Sequence, residues 1–211
     1  AVAGVYEEAC QIVVRADSEI STVEELEGHR VSIGEEESGT KQNALQILAA
    51  YGLNEKLVEE VSLNYTEAAK ELENGTIDAF FCTAGAQTAA IANLAQRTGI
   101  RFLNVDGAAA ARLKKSYPVY DSCIIAAGTY PGQEEDVSTV GVKAVLLASD
   151  SVSAEVVEEL TALLFEEQQE LDFALPVELI TEADAAADGL PVPFHKGAER
   201  YYESRGEKSE N

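Results

Sequence analysis

From position 10 onward, short runs of apolar or β-branched residues alternate with longer stretches whose apolar residues recur at helical spacing. CQIVVRA predicts a strand. STVEELEG predicts a short helix, with Ser21 and Glu24 at capping-box separation. RVSIG is the next strand, and QNALQILAAYG a helix in which Ala44, Leu45, Leu48 and Tyr51 share one face and Gly52 ends the run. VEEVSLNY then predicts a strand, and TEAAKELENG a helix capped by Thr66 and stopped by Gly75. DAFFCTAG is apolar on both faces, as a strand buried within a parallel sheet should be. A further round follows, with QTAAIANLAQRTG as helix, IRFLNVDG as strand and AAAARLKKSY as helix. Successive strand–helix units of this length predict an α/β architecture, a parallel sheet covered by helices.

After Pro118 the rhythm changes. DSCIIAAGTYPGQEEDV reads as a strand entering a Gly/Pro/acidic loop, and STVGVKAVLLAS as a long strand. SAEVVEELTALLFEEQQEL predicts an amphipathic helix with Val156, Leu160, Leu163 and Leu164 on one side. From Asp172 the chain reads as loop around Pro176, Pro191 and Pro193, then as a short helix GAERYYESRG and a polar, frayed tail EKSEN. This last region offers apolar helix faces with a single strand to pack on, so it is expected to cover something outside the sequence.

Composition narrows the function classes. The 211 residues are 46% apolar, enough for a sizeable core, and 38 acidic against 15 basic residues give a formal charge of −23. Such a surface repels nucleic acid and anionic lipid. No apolar run approaches the ~20 residues of a membrane helix, so no transmembrane segment is expected. The chain contains no Met, so Ala1 reads as a processed end or as the edge of a longer reading frame, and the lack of a leader says little about location. Cys10, Cys82 and Cys123 sit far apart among small or apolar neighbours and read as buried hydrophobes rather than zinc ligands.

One stretch carries a candidate chemistry. Residues 34–41, GEEESGTK, have the two glycines of a phosphate loop, but Thr40 precedes Lys41 where a nucleotide loop needs Lys first. Ser38, Gly39 and Thr40 stand where a helix begins, and free N–H groups there suit a carboxylate or phosphate, assisted by the two hydroxyls. From spacing alone, the favoured reading is that Ser38 or Thr40 simply caps the helix. Glu35, Glu36 and Glu37 disfavour a triphosphate, which would set several negative charges beside them. A second turn, Thr83-Ala84-Gly85-Ala86-Gln87-Thr88, again leads from a buried strand into a helix. Both turns lie at strand carboxyl ends, where open α/β sheets bind ligands. Close strand–helix packing is the other reading of its small residues.

Catalytic machinery is not evident. His29 and His195 lack a neighbouring nucleophile or second ligand. Glu134-Glu135-Asp136 lacks calcium-loop spacing. No metal or cofactor is expected.

Four long segments, IVVRADSEISTVEELEGHRVSIGEEESGT, ELENGTIDAFFCTAGAQTAAI, AAGTYPGQEEDVSTVGVKAVLLAS and GLPVPFHKGAERYYESRG, together resemble the TAXI-type solute-binding proteins of tripartite ATP-independent periplasmic (TRAP) transporters. The resemblance covers residues 10 to 206. It implies a type II periplasmic-binding-protein architecture with a parallel or mixed sheet: an extracytoplasmic receptor whose two α/β lobes close on a small carboxylate, such as glutamate or 2-oxoglutarate, and deliver it to a membrane permease; the alternative is a sensory or signalling ligand-binding domain not coupled to transport. Residues 10–144 would form the second, ligand-binding lobe. Residues 1–9 and 145–211 would belong to the first lobe, most of which would precede this sequence. The implied ligand-facing positions are Ser38, Gly39, Thr40, Asn43, Thr83, Gly85, Gln87 and Tyr130. Relatives often carry small residues before SGT, where this chain has Glu35, Glu36 and Glu37. If one of those carboxylates turns toward the ligand, it favours an amine-bearing solute over a diacid.

Overall fold

A computed structural model of the chain describes residues 1–167 and 177–209. It divides into two compact units, Glu8–Val142 and a smaller one made of Ala1–Glu7 with Lys143–Asn211.

The larger unit is built on the long strand β1 (Ala3–Arg15), which enters it at Glu8. The strands β2 (Arg30–Ser32), β3 (Glu59–Val61), β4 (Ala79–Ala84), β5 (Ile100–Phe102), β6 (Asp121–Ile125) and β7 (Val137–Leu146) follow. Helices α1 (Gly39–Ala50), α2 (Tyr65–Asn74), α3 (Ala89–Arg97) and α4 (Gly107–Ser116) connect them. Among the described residues the strand order is β3-β2-β4-β1-β7-β6, with β5 also paired to β1. β2 runs parallel to β3 and to β4, whereas β1 is antiparallel to β4 and β5, and β6 to β7.

The sheet is therefore mixed α/β: β2 pairs in parallel with β3 and β4, as the strand–helix rhythm implied, and the antiparallel pairs come with β1 and with β6–β7. The apolar run of β4 encodes burial on both faces, not the direction of its neighbour. Alternation sends Ala79 and Phe81 into one core with Ile12, Val14 and Leu48, and Phe80 and Cys82 into a second core with Val13, Leu72 and Leu94. Each fully buried aromatic ring there contributes roughly 1.5–3 kcal/mol by leaving water.

Local chemistry sets the element ends. Ser38 caps α1, and Gly75, at φ +73°, ends α2. The cap of α2 is Asn64, not Thr66: its side chain accepts from the Glu67 N–H while Glu67 returns to the Asn64 N–H. An Asn that looked like the tail of a strand thus opens the helix. STVEELEG tightens to a single 3-10 turn, Glu24–Leu26, because the Glu25 carboxylate, rather than that of Glu24, is the one drawn to the Ser21 N–H and Oγ, both at 2.7 Å.

In the smaller unit, the start of β1 bonds to the segment 179–180, with Ile180 N donating to Val5 O at 2.8 Å. Helix α5 (Ala154–Glu166) packs with the helix α7 (Lys196–Ser209) around Val2, Val157 and Ala198. A short α6 (Ala183–Ala187) lies where the sequence read only as loop. α7 is longer than GAERYYESRG and includes part of the tail expected to fray. The far end of the predicted SAEVV helix, residues 168–171, and the loop expected at 172–176 fall outside the described residues. The apolar stripe of α5 is also reassigned: Val156 and Leu163 are 56% and 50% exposed, while Val157 and Thr161 are buried. α7 selects that face because Gly197 lets the two backbones touch. A Cβ at 197 would lie 2.2 Å from the Ala154 carbonyl oxygen and 2.7 Å from the Glu158 nitrogen.

Since those obstacles are backbone atoms, Gly197→Ala cannot be absorbed by a rotamer change. It is expected to destabilise the protein by about 1–3 kcal/mol, read as a lower urea midpoint, with an added shift in α5 and α7 amide resonances.

Candidate functional site

β2 and β4 are parallel neighbours, with Val31 opposite Ala79 and Ser32 opposite Phe80, so the turns that follow them emerge side by side. Each turn uses the same device. Among the described residues, Glu37 at φ +62° and Gln87 at φ +64° are the non-glycine residues in the left-handed region, and each directly precedes a helix N-cap, Ser38 or Thr88. Holding a side-chain-bearing residue there costs about 1–3 kcal/mol, and such strain concentrates at ligand clamps and switches.

The first turn also depends on Gly34. Its φ is +97°, and a Cβ would lie 2.9 Å from the Cβ and Cγ2 of Thr40. Thr40 is consequently drawn inward and is 5% exposed. Its Oγ1 lies 2.6 Å from the Tyr65 hydroxyl, which donates to the Thr83 carbonyl at 2.9 Å. Because the single Tyr65 proton goes to Thr83, Thr40 must donate to Tyr65. The Thr83 N–H completes the link by reaching Thr40 Oγ1 at 3.4 Å. Ser38 Oγ accepts from the Lys41 N–H and donates to the Glu35 carbonyl at 2.7 Å. Asn43 Nδ2 donates to the Tyr120 hydroxyl at 2.6 Å, and Tyr120 donates to Gln46 Oε1. The two turn hydroxyls expected to assist an anion have thus committed their protons within the protein. What the start of α1 presents to solvent is main chain around the exposed Gly39, where an added Cβ would find open space.

In the second turn Gly85 and the exposed Gln87 lead to Thr88, whose side chain makes no cap bond but donates to the Gly85 carbonyl at 3.0 Å. Tyr130 lies behind this turn rather than on its open side, 1% exposed and tilted against Phe102. Its hydroxyl accepts from the Thr88 N–H at 3.0 Å and donates to Gln11 Oε1 at 2.6 Å. Gln11 is itself buried and donates to Thr88 Oγ1 at 3.2 Å. Tyr130 therefore satisfies the N–H of Thr88, the N-cap residue of α3, as the glutamate of a capping box does for its own N-cap.

The structure brings Ser38, Gly39, Thr40 and Asn43 to one helix start and Thr83, Gly85 and Gln87 to the adjoining turn, and sets Tyr130 inside as their support. Sequence reasoning missed Tyr65, Tyr120 and Gln11, and named Thr88 only as the end of the second turn. Gln11 did leave a signal, as a polar residue interrupting the apolar run CQIVV. Nothing local marked the tyrosines, whose hydroxyls find partners contributed by other elements.

Burial pushes the Tyr120 hydroxyl up to about 12 and raises those of Tyr65 and Tyr130. The Cys82 thiol is likewise driven to about 12, chiefly by burial. Glu36 turns outward to Lys41, whose Nζ lies 2.7 Å from both carboxylate oxygens, and to Ser62 at 2.8 Å. These hydrogen bonds, that of Lys41 foremost, hold its carboxyl below the usual range. His29 pairs with Asp78 at 3.2 Å before β2, at the opposite strand end, and His195 Nδ1 accepts from the Gly197 N–H in the smaller unit. Among the described residues no group of three or more His, Cys, Asp or Glu could hold a metal ion, and no helix is long and apolar enough to cross a membrane.

The sequence profile of the NMT1-like family matches residues 1–206, and the chain belongs to that family. It is also similar to solved structures of binding proteins. The periplasmic aliphatic sulphonate binding protein SsuA from Escherichia coli is 19% identical over 97% of this chain and 64% of its own, with a TM-score of 0.48. An ancestral arginine-binding protein bound to glutamine is 17% identical over 96% and 63%, with a TM-score of 0.42. The alkanesulfonate-binding protein SsuA from Xanthomonas axonopodis pv. citri, bound to MOPS, is 25% identical over 48% and 34%, with a TM-score of 0.41. This chain spans less than two thirds of the length of each.

Two outcomes test the site's construction. Tyr130→Phe leaves the Thr88 N–H and Gln11 without their partner and should cost about 1–3 kcal/mol in urea unfolding. Cys82 stays protonated in the folded state up to about pH 12, while the unfolded thiol ionises near 9. The unfolded state therefore binds fewer protons between these values, so stability is unaffected by this group below pH 9 and falls above it by about 1.4 kcal/mol per pH unit. Unfolding measured across this range should show the decline, and Cys82→Ala should reduce its slope by that share.

Proposed function

We propose that this NMT1-like protein is a solute receptor that holds a small carboxylate at the carboxyl ends of β2 and β4 and releases it chemically unchanged. The observation that carries the reading is the pair of adjacent turns, each with a left-handed residue ahead of a helix N-cap. Together they aim two helix starts, each with partial positive charge, at the same end of the sheet. Ser38, Gly39, Thr40 and Asn43 would frame one side of the ligand and Thr83, Gly85 and Gln87 the other, with Tyr130 supporting from beneath. In this reading residues 10–144 are the ligand-binding lobe, and residues 1–9 with 145–211 belong to a first lobe.

The finer assignment follows the sequence resemblance: a TAXI-type receptor of a TRAP transporter, acting outside the cytoplasm and passing its solute to membrane permease subunits. Glutamate and 2-oxoglutarate represent the solute class. Release without chemistry accords with the absence, from the residues framing the turns, of an imidazole or a paired carboxylate to move protons.

Amide NMR of this chain, titrated with glutamate or 2-oxoglutarate at millimolar concentration, should shift the resonances of Gly39, Thr40, Asn43, Thr83 and Gly85 while leaving those around His29 unchanged. Gly39→Leu should abolish the shifts with less than about 1 kcal/mol change in stability, because the position is open and its φ is ordinary. Saturable shifts by a sugar or a nucleotide, with none by carboxylates, would overturn the reading.

A further inference from the structure

We infer that Tyr120 couples Asn43 and Gln46 into a reversible relay, so that the site meets either a hydrogen-bond donor or an acceptor next to the ligand's carboxylate. An α-amino acid and the keto acid of the same skeleton then both fit. The inference rests on the receptor reading above and adds to it how the solute's second polar group is received.

Helical spacing places the relay. Gly39, Asn43 and Gln46 stand at i, i+4 and i+7 of α1 and so share one stripe. Helical side chains lean toward the helix start, which sets the Asn43 amide over the turn at Gly39, beside the main chain that the receptor reading gives to the carboxylate. Tyr120 reaches the same stripe from the turn before β6. It is buried in one core with Ala44 and Leu48, and its ring meets that of Tyr117 edge to face at 6.3 Å between centroids, so the hydroxyl is held in position.

That hydroxyl accepts from Asn43 Nδ2 at 2.6 Å and donates to Gln46 Oε1 at 2.7 Å, which uses one end of each amide. Asn43 Oδ1 and Gln46 Nε2 make no hydrogen bond among the described residues, and both side chains are half-buried. Rotate both amides by half a turn and swing the phenol proton from Gln46 to Asn43, and the two bonds are replaced by two of the same kinds. Gln46 Nε2 now donates to Tyr120, and Tyr120 to Asn43 Oδ1. The terminal torsion of an amide side chain is broad and roughly two-fold, so the two arrangements lie close in energy. No hydroxyl is freed in either, and no buried partner is left unpaired.

The arrangements differ in what Asn43 turns to the ligand. In the first it presents Oδ1, an acceptor for an ammonium; in the second it presents Nδ2, a donor for a keto oxygen. Burial pushes the Tyr120 hydroxyl up to about 12, so it keeps its single proton through the neutral range and serves both states. Neither amide carries a charge, so the relay sets no fixed charge against either solute.

The test is side-chain amide NMR of this chain titrated with glutamate or 2-oxoglutarate, and with leucine or 2-oxoisocaproate. Members of any pair that binds should do so within about threefold of one another. The Gln46 Nε2 resonances should move with the keto acid, which draws them onto Tyr120, and stay with the amino acid. In Tyr120→Phe, which keeps the ring, this difference at Gln46 should vanish while the backbone spectrum stays native. A preference of about tenfold or more within a pair overturns the relay and leaves the receptor reading standing. So does a Gln46 response that is the same for both members, or one that survives Tyr120→Phe. No binding of any of the four compounds overturns the receptor reading and the relay with it. Should Tyr120→Phe lose its native spectrum, the comparison at Gln46 in the unaltered chain decides alone.

Discussion

The arrangement of the candidate site depends on one buried contact, the bond between Thr40 and Tyr65. A single net hydrogen bond is worth only about 0.5–1.5 kcal/mol, but this one joins the start of α1, the start of α2 and the end of β4 through Thr83. Thr is well suited to the position, because its methyl fills the space left at Gly34 while its hydroxyl faces Tyr65. Once Thr40 is fixed inside, Ser38 caps the helix and Gly39 is left at the surface with its main chain uncovered. The turn's exposure is thus a consequence of what its neighbour buries.

How much of this was legible in the sequence follows from the range of each signal. Strands and helices with strong local patterns, such as QNALQILAAYG and DAFFCTAG, form as the pattern predicts, since alternation and 3.6-residue periodicity need no knowledge of partners. Ser38 as a cap is local in the same sense. The direction of β1 is not: an apolar strand flanked by two cores reads identically whether its neighbours run with it or against it. Neither is the packing face of α5, where Val156, Leu160 and Leu163 made the more regular stripe, yet the backbone contact at Gly197 chose Val157 and Thr161. The tyrosines were hidden for a related reason. Tyr130 holds the N-cap N–H of a helix that begins 41 positions before it in the chain, a relationship that no window of sequence contains.

The stretch GEEESGTK shows how similar residue types can build opposite chemistry. In a nucleotide loop the lysine reaches phosphate, whereas here Lys41 is paired with Glu36. Glu37 contributes its backbone rather than its charge, by occupying the left-handed position that turns the chain into Ser38. The acidic composition, formally −23 over the chain, therefore need not oppose a carboxylate ligand at this point. Exposed charges beyond a Debye length of about 8 Å are largely screened, whereas the N–H dipoles of the two helix starts act locally.

Counting protons decides which groups can act. The hydroxyls of Ser38, Thr40, Tyr65, Tyr120, Thr88 and Tyr130 each donate to a protein acceptor. Buried polar groups satisfied in this way are rigid, and freeing one to serve a ligand would leave its present partner unpaired, at about 1–3 kcal/mol. A ligand that itself needed donors from these side chains would have to meet that cost. A carboxylate accepts from main-chain N–H instead, and the first N–H groups of a helix have no partner within the helix. In the proposed reading the tyrosine and threonine lattice therefore works indirectly: it holds two helix starts side by side so that the backbone, at Gly39 in one turn and beyond Thr88 in the other, would do the binding.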